Sequence, residues 1–226
     1  MKYLTHITTI GRETTFKAIE SNRKELPLGS KIILWVNLIT GFDTSIIPKL
    51  RLLVDDMVVS SINYCDFSCV IDMMYLDYDI MLYQSDDCVF LPGGIKQAMR
   101  IFEGNPRVGA VGSLTQKEGM KENIYIDDPE VLPDLGVFFN HEAINEVGGQ
   151  RPIFPAYGYS FQEMLIRMMM HQWHMVSIKD NYAEHAGDAH YGSNRLGTHN
   201  KIWARNKEVF DSLKKTHFPV EGWWQK

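Results

Sequence analysis

The sequence predicts an α/β protein built around a mostly parallel sheet. Apolar runs of strand length alternate with segments of helical periodicity, a pattern typical of parallel strands joined by helical crossovers. The run Lys31–Asn37 (KIILWVN) is apolar between its end residues, as expected of a strand that is covered on both faces. A second apolar run, residues 78–84, leads directly to the acidic pair Asp86 and Asp87.

The elements follow one another with Gly, Pro and Asn between them. Apolar runs predict strands at residues 3–10, 31–37, 58–63, 78–84, 108–114, 124–126, 135–139 and 173–178. Periodic apolar positions and capping residues predict helices at residues 14–24, 44–57, 70–76, 94–102, 141–146, 160–171 and 202–215. Residues 184–200, rich in His, Gly and Asn, are too long for a routine connection and are expected to carry function.

Length and composition favour one soluble domain. The 226 residues are 45% hydrophobic and 23% charged, and they contain no internal repeat, signal peptide or membrane-length apolar stretch. The formal charge of −5 argues against broad binding of polyanions, although a local basic groove stays open. Cys65, Cys69 and Cys88 form no paired framework, which favours reduced thiols. We therefore expect a cytoplasmic protein, in the host cytoplasm if it is viral.

The acidic pair has two interpretations when its position alone is considered. Ligands of open α/β sheets gather beyond the carboxyl ends of strands, and two carboxylates there suit a hard divalent cation that holds a diphosphate. Alternatively, Asp86 and Asp87 lie on a surface turn and cap the next helix.

The loop after the first strand also has two interpretations. Gly11 permits close approach of the backbone to a ligand, and Arg12 is suited to pair with phosphate. The alternative is a plain turn between a strand and a helix.

Several segments agree in order and spacing with a known pattern. They are HITTIGRE, SDDCVFLPGGIKQAMRIFEGNPRVGAVG, GVFFNHEAINEVGGQRPIFPAYGY, EMLIRMMMHQW, HAGDAHYGSN and WARNKEVFDSLKK. Together they resemble glycosyltransferases of the GT-A fold, most often those of glycosyltransferase family 2. In that family HITTIGRE would be the first strand and loop, and SDDCVFLPGGIKQAMRIFEGNPRVGAVG would be the D-x-D turn with its helix. GVFFNHEAINEVGGQRPIFPAYGY would be the acceptor-side stretch, and EMLIRMMMHQW would be a helix carrying an acid and an Arg. HAGDAHYGSN would be the late His-x-Gly segment, and WARNKEVFDSLKK would be the closing helix.

The resemblance covers nearly the whole chain and implies its organisation. It implies a single GT-A domain, residues 1–226, with one Rossmann-like, mostly parallel central sheet flanked by helices. Residues 1–114 would form the half that binds the nucleotide sugar. Residues 115–226 would form the acceptor-side half and the closing helix.

The resemblance also implies the metal and donor ligands. Asp87 would bind the metal, Mn²⁺ or Mg²⁺, and His185 would be a further ligand carried over from the late His of the family. His190 and His199 compete with His185 in the same segment. The nucleotide sugar would be bound by Thr9, Gly11, Arg12, Asn37 and Asp86.

Glu163 is the acidic residue nearest to the position of the family's catalytic base. A base takes the proton from the acceptor hydroxyl as that hydroxyl attacks. Glu163 and Arg167 are also spaced i,i+4, so a simple ion pair on a helix surface is the alternative. Further candidates for the base are Asp134, Glu184 and Asp188.

The chain departs from the family pattern at two places. Ser85 stands where the first Asp of D-x-D is expected. Ser160 and Phe161 stand where the family has a Glu-Asp pair. These departures keep open a non-catalytic module that only binds a sugar nucleotide.

The resemblance implies a metal-dependent hexosyl- or pentosyltransferase that uses a nucleotide-diphosphate sugar, UDP-linked by preference, with an inverting outcome. The acceptor would be a glycan, a small molecule or a hydroxylated base of phage DNA. The basic residues Lys201, Arg205, Lys207, Lys214 and Lys215 keep DNA open despite the acidic balance. A nucleotidyltransferase would need a glycine-rich loop with Arg and Lys after the first strand, and HITTIGRETTF lacks one. The oligomeric state is not predicted.

Overall fold

The computed structural model describes residues 1–62, 68–69, 72–73, 77–113, 123–126, 136–151, 153–154, 159–178, 183–186 and 199–217. The strands are β1 (Tyr3–Thr9), β2 (Lys31–Asn37), β3 (Asp56–Ser60), β4 (Ile80–Ser85), β5 (Cys88–Phe90), β6 (Val108–Ser113), β7 (Ile124–Ile126), β8 (Gly136–Asn140), β9 (His174–Ile178) and β10 (Ala183–His185). The helices are α1 (Thr14–Glu25), α2 (Ile47–Arg51), α3 (Gly94–Gly104), α4 (His141–Val147), α5 (Ser160–Met170) and α6 (His199–His217).

Eight of these strands form one sheet, in the order β3-β2-β1-β4-β8-β6-β9-β7. The strands β3, β2, β1 and β4 pair in parallel, and so do β6 and β9. β8 runs antiparallel to β4 and β6, and β7 runs antiparallel to β9. Six strands therefore share one direction, so the prediction of a mostly parallel sheet is confirmed. β5 and β10 form a separate antiparallel pair.

The strand β2 shows why its continuous apolar run predicts burial on both faces. Ile32, Leu34 and Val36 pack in one hydrophobic cluster, whereas Ile33 and Trp35 pack in a different one. Because successive side chains of a strand point to opposite faces, a strand covered on both faces buries every side chain, which favours a continuous apolar run.

The helix α3 follows its predicted amphipathic pattern. Ile95, Ala98, Met99 and Phe102 are its buried apolar residues, and they pack on the strands β4, β6 and β8 through one cluster. Their spacing of three and four residues places them on one side of the helix. None of the helices in the part of the chain that the structure describes is long and apolar enough to cross a membrane.

The second predicted helix, residues 44–57, is wrong in length. A 3₁₀ turn at Thr44–Ile46 is capped by the Asp43 carboxylate, which accepts a hydrogen bond from Ser45 N at 2.9 Å, and α2 then ends at Arg51. Met57 lies in β3 instead. The chain leaves the helical conformation because it pairs with β2 from Asp55 onward. Asp55 N donates to Ile32 O at 3.0 Å, and β3 then begins at Asp56.

Some smaller predictions have mixed outcomes. The three-residue strands β5 and β10 are not predicted by the sequence. The predicted helix at residues 70–76 is described only at residues 72–73, which are helical. Cys69 and Cys88 are buried, and neither forms a disulfide bond within the described residues; Cys65 lies outside them.

Candidate active site

The parallel pairing of β1 with β4 brings two loops to the same edge of the sheet. Thr8 pairs with Ser85, so the residues that follow each strand lie side by side. The Thr9 hydroxyl donates to Oδ2 of Asp86 at 2.7 Å, and the backbone N–H of Ile10 donates to the same oxygen at 3.2 Å. The structure thus joins the first loop to the acidic turn, because the parallel strands β1 and β4 end at the same edge of the sheet.

Arg12 forms ion pairs with both carboxylates of the acidic turn. Its Nη1 lies 3.2 Å from Oδ1 of Asp86 and also donates to Oδ2 of Asp87. The Ser85 hydroxyl donates to Oδ1 of Asp87 at 2.6 Å. The side chains of Asp86 and Asp87 are only 6% and 8% exposed, against 18% for Arg12.

This burial rules out the alternative of a surface turn that caps the next helix. The helix α3 begins at Gly94, and its capping residue Gly93 makes no side-chain hydrogen bond to it. Asp86 and Asp87 instead direct their carboxylates to β1, its loop and Ser85.

The environment of Asp86 favours its neutral form more than water does. Burial raises the pKa of Asp86 to about 6, and the charge of Asp87 adds to this shift. Arg12 and the hydrogen bonds from Thr9 and Ile10 lower the pKa but do not cancel the effect of burial.

Gly11 is required by the geometry of the first loop. Its φ is +89°, and its N–H donates to the Thr9 hydroxyl at 2.9 Å. A Cβ at this position would lie 2.8 Å from the ring of Phe42. The close approach expected of Gly11 is therefore made in this structure to an aromatic side chain of the same protein.

A buried network of amide side chains holds the end of β4 against α1. Gln84 Nε2 donates to Cys88 O at 2.6 Å, and Asn22 of α1 donates to Oε1 of Gln84. Thr5 of β1 donates to Oδ1 of Asn22 at 3.1 Å. This network is not predicted from the sequence, and its local signal is the glutamine at the end of an apolar run.

A second buried network lies on the other face of β1. His6 Nδ1 lies 2.5 Å from Oδ2 of Asp72, and Trp35 Nε1 donates to the same oxygen at 3.0 Å. His6 Nε2 lies 2.9 Å from the Thr8 hydroxyl and 3.1 Å from the Ser68 hydroxyl. This network is likewise not predicted from the sequence, and its local signal is the histidine inside a buried strand.

The late segment returns to the acidic turn through its backbone. In β10, His185 pairs with Cys88 of β5, and Ala186 N donates to Asp87 O at 2.6 Å. The backbone therefore places the predicted ligand His185 next to the acidic turn, while its side chain lies outside the described residues. Asn37 is fully buried at the end of β2.

The other candidates fall into two groups. Glu184 is exposed on β10, and His199 begins α6. His190, Asp134 and Asp188 lie outside the described residues.

Glu163 is held in a buried ion pair. Arg167 donates from Nε to Oε1 at 2.8 Å and from Nη2 to Oε2 at 2.6 Å. Arg167 also donates to the backbone carbonyls of Val147 and Gly149. The i,i+4 pair suggested by the sequence is therefore present, but it lies in the interior and not on a helix surface. The catalytic role of Glu163 stays a prediction.

The departure from the family pattern at Ser160 and Phe161 has a structural counterpart. Both residues are buried at the start of α5. The Phe161 ring lies 4.4 Å from the ring of Tyr83 on β4 and 5.4 Å from that of Phe139 on β8, measured between centroids. An aromatic core residue, Phe161, thus occupies the position at which the family has the Asp of its Glu-Asp pair.

The acidic turn offers oxygen donors of the kind that Mg²⁺ and Mn²⁺ accept. Asp86 and Asp87 supply carboxylates, and Ser85 supplies a hydroxyl beside them. Within the described ranges, no group of three His, Cys, Asp or Glu side chains forms a ligand cluster. These carboxylate and hydroxyl oxygens are suitable ligands for a hard divalent cation.

Solved structures show which fold this architecture represents. TarS 1–349 of S. aureus matches with a TM-score of 0.62 and 10% identity, over 98% of this chain and 73% of that one. Mannosyltransferase PcManGT from Pyrobaculum calidifontis, in complex with GDP-Man and Mn²⁺, matches with a TM-score of 0.65 and 10% identity, over 91% and 64%. GalNAc-T7 with UDP, GalNAc and Mn²⁺ matches with a TM-score of 0.68 and 11% identity, over 97% and 51%.

The chain has the GT-A fold. The predicted fold class is thereby confirmed. No family model and no curated protein sequence matches the chain. Since this chain spans between 51% and 73% of the length of these three structures, the GT-A fold is what the likeness shows.

We expect Gly11→Ala to destabilise the protein more than Gly41→Ala does. Both glycines have φ near +85°, where an alanine costs roughly 1–2 kcal/mol, but a Cβ at Gly41 meets no atom within 4 Å. At Gly11 the contact with Phe42 adds about 1–3 kcal/mol. Urea unfolding of both variants measures the difference, and equal losses would contradict the steric argument.

We expect Arg167→Met to lower the free energy of unfolding by about 3–5 kcal/mol, because it removes the hydrogen bonds to both oxygens of the buried Glu163 carboxylate and leaves the exposed Arg151, 3.5 Å from Oε1, as its described cationic partner. A double variant that also carries Glu163→Met should recover much of this loss. The control is Lys24→Met, which breaks the exposed i,i+4 pair with Glu20 and should change stability little. Chemical denaturation tests this, and a small effect of Arg167→Met alone would refute it.

We expect Asp86 to make stability fall as pH rises from about 4 to about 6, when compared with Asp86→Asn. The unfolded carboxyl loses its proton near pH 4, whereas the folded one keeps it until about 6, so deprotonation opposes folding in this window. The difference is on the order of 2–3 kcal/mol. Urea unfolding across this pH range with a chelator present measures it, and parallel profiles would exclude the shift.

Proposed function

We propose that this protein is a glycosyltransferase. It moves a sugar from a nucleotide-diphosphate sugar, UDP-linked by preference, to an acceptor hydroxyl with inversion, and it uses Mn²⁺ or Mg²⁺. The observation that carries the proposal is the buried acidic pair at the end of β4, in contact with the loop that follows β1. In a GT-A fold this edge of the sheet is where a ligand is expected.

The burial of two adjacent carboxylates supports a functional role. Removing charged groups from water is costly, and apolar residues could fill the same volume without that cost. Buried charges with a perturbed pKa at a sheet edge therefore point to a ligand. Asp86 meets these conditions through its burial and its raised pKa, and Asp87 shares its burial and its partner Arg12.

The residues have separate roles in this proposal. Asp87 and His185 hold the cation, which when bound stabilises the negative charge of the departing diphosphate. The nucleotide sugar is bound by Thr9, Gly11, Arg12, Asn37 and Asp86. Residues 1–114 supply the donor half, and residues 115–226 supply the acceptor side.

Glu163 is the proposed base. Both of its carboxylate oxygens accept hydrogen bonds from Arg167, so it accepts a proton only if one of these bonds is given up. Arg151 Nη1 lies 3.5 Å from Oε1 and adds positive charge near the same oxygen.

A module that binds a sugar nucleotide without turnover is the second candidate. This second candidate is favoured by the core position of Phe161, where the resemblance expects an acid. It is also favoured by the ion pair of Glu163, because both of its carboxylate oxygens already accept hydrogen bonds from Arg167. The acceptor is a glycan, a small molecule or DNA in the first case. Exposed basic residues on α6 (Lys201, Arg205 and Lys215) keep DNA among the acceptors.

We expect UDP or a UDP-sugar to raise the melting temperature only when Mn²⁺ is present, because a ligand that binds the folded state alone stabilises it. Asp87→Asn should abolish this shift. Asp56→Asn is the control, since this exposed carboxylate lies at the start of β3, remote from the carboxyl ends of the parallel strands. A thermal-shift screen that also includes GDP-mannose measures this, and no shift with any nucleotide sugar would refute the proposal.

Release of UDP from the bound UDP-sugar separates the two candidates. A transferase releases UDP and slows strongly in Glu163→Gln, whereas a binding module shows Mn²⁺-dependent UDP binding without turnover. Turnover that Glu163→Gln leaves unchanged would exclude Glu163 as the base. Transfer to duplex DNA would weaken steeply with added salt, and transfer to a small sugar would not.

A further inference from the structure

The carboxylate oxygens of the acidic turn are divided between two kinds of donor. Oδ2 of Asp86 accepts from neutral groups, the Thr9 hydroxyl and the Ile10 N–H, and Oδ1 of Asp87 accepts from the Ser85 hydroxyl. The remaining two, Oδ1 of Asp86 and Oδ2 of Asp87, both accept from Nη1 of Arg12. One nitrogen of one side chain thus bridges the pair.

Arg12 supplies the positive charge that this pair needs while no metal is bound. Two carboxylates that are less than a tenth exposed repel each other, and breaking a buried ion pair on one side leaves an uncompensated charge. A divalent cation held by Asp87 would lie close to Nη1 of Arg12, and like charges at such short range repel strongly in a partly buried site. The cation and Nη1 therefore exclude each other.

The present position of Arg12 is incompletely satisfied. Its Nε is buried and has no hydrogen-bond partner among the described residues. Buried hydrogen-bond donors are normally paired, so the unpaired Nε makes the present position of the Arg12 side chain less favourable. The side chain is also the most exposed of the three charged groups, which gives it a route outward.

We infer that Arg12 is a resident counter-cation that a divalent metal displaces, and that the diphosphate of the donor receives the released guanidinium. Guanidinium groups bind phosphate oxygens through paired, charge-assisted hydrogen bonds. Because Arg12 belongs to the same loop edge, it stays within a side-chain length of a diphosphate bound there. Metal and nucleotide would then bind with positive coupling, since each removes part of the cost of displacing Arg12. The part of this inference that concerns the diphosphate of the nucleotide sugar rests on the proposed function. The displacement of Arg12 by a divalent metal does not.

The test is calorimetric titration of Mn²⁺ into the full chain without nucleotide. Arg12→Met should bind Mn²⁺ at least about tenfold more tightly than the wild type, a change of about 1.4 kcal/mol. Arg12→Lys keeps the charge and should stay close to the wild type. Arg100→Met is the charge-matched control, because Arg100 is exposed on α3, and it should leave Mn²⁺ affinity unchanged. Unchanged or weaker binding by Arg12→Met overturns the inference.

A measurement on the wild type covers the case in which Arg12→Met does not fold. The Nε–H resonance of Arg12, assigned by its absence in Arg12→Lys, should shift when Mg²⁺ and UDP are added together. A resonance that does not move while UDP and Mg²⁺ bind overturns the inference.

The outcomes separate this inference from the proposed function. Mn²⁺-dependent UDP binding by the wild type, without a gain of Mn²⁺ affinity in Arg12→Met, supports the transferase and refutes the exchange. A gain in Arg12→Met, without any effect of UDP on the wild type, supports Arg12 as counter-cation and refutes the nucleotide function.

Discussion

The burial of two neighbouring carboxylates is the constraint around which this end of the molecule is built. Asp86 and Asp87 directly follow the central strand β4, and both are buried. Their charge is met by short local donors and by Arg12 from the adjacent loop. The raised pKa of Asp86 shows that these partners do not fully offset its burial.

The strand β1 supports this arrangement from both of its faces. On one face Thr5 and Thr9 bond to α1 and to the acidic turn. On the other face His6 and Thr8 bond to the segment that contains Ser68 and Asp72. Both faces of this strand inside the sheet therefore carry polar residues, in contrast to the apolar β2. Each network holds one neighbouring element in register, which fixes where the loop after β1 begins.

The α/β class with a mostly parallel sheet could be predicted from the sequence because it depends on local signals, whereas the GT-A fold was implied by the family resemblance. Alternation of strands and helices, the two-sided burial of β2 and the spacing of apolar residues in α3 all lie in short windows of sequence. The resemblance assigned Asp86 and the loop residues Thr9, Gly11 and Arg12 to one donor site. That the two segments lie together follows from the parallel pairing of β1 with β4. Contacts across the sheet were out of reach, because nothing local to Asn22 or Asp72 indicates its partner. The end of α2 was misjudged since the open edge of β2, and not helical periodicity, decides where β3 begins.

Two buried ion pairs in this protein differ in a way that bears on function. Arg167 bonds to both oxygens of Glu163 and to two backbone carbonyls, so its guanidinium is anchored on three sides. Arg12 bonds through one nitrogen, leaves its Nε without a described partner, and is more exposed. The first arrangement resists exchange, and a base at Glu163 would have to act against it. The second lacks comparable anchors, so displacing Arg12 breaks fewer hydrogen bonds. Of the two sites, the acidic turn is the one whose charges a ligand can rearrange.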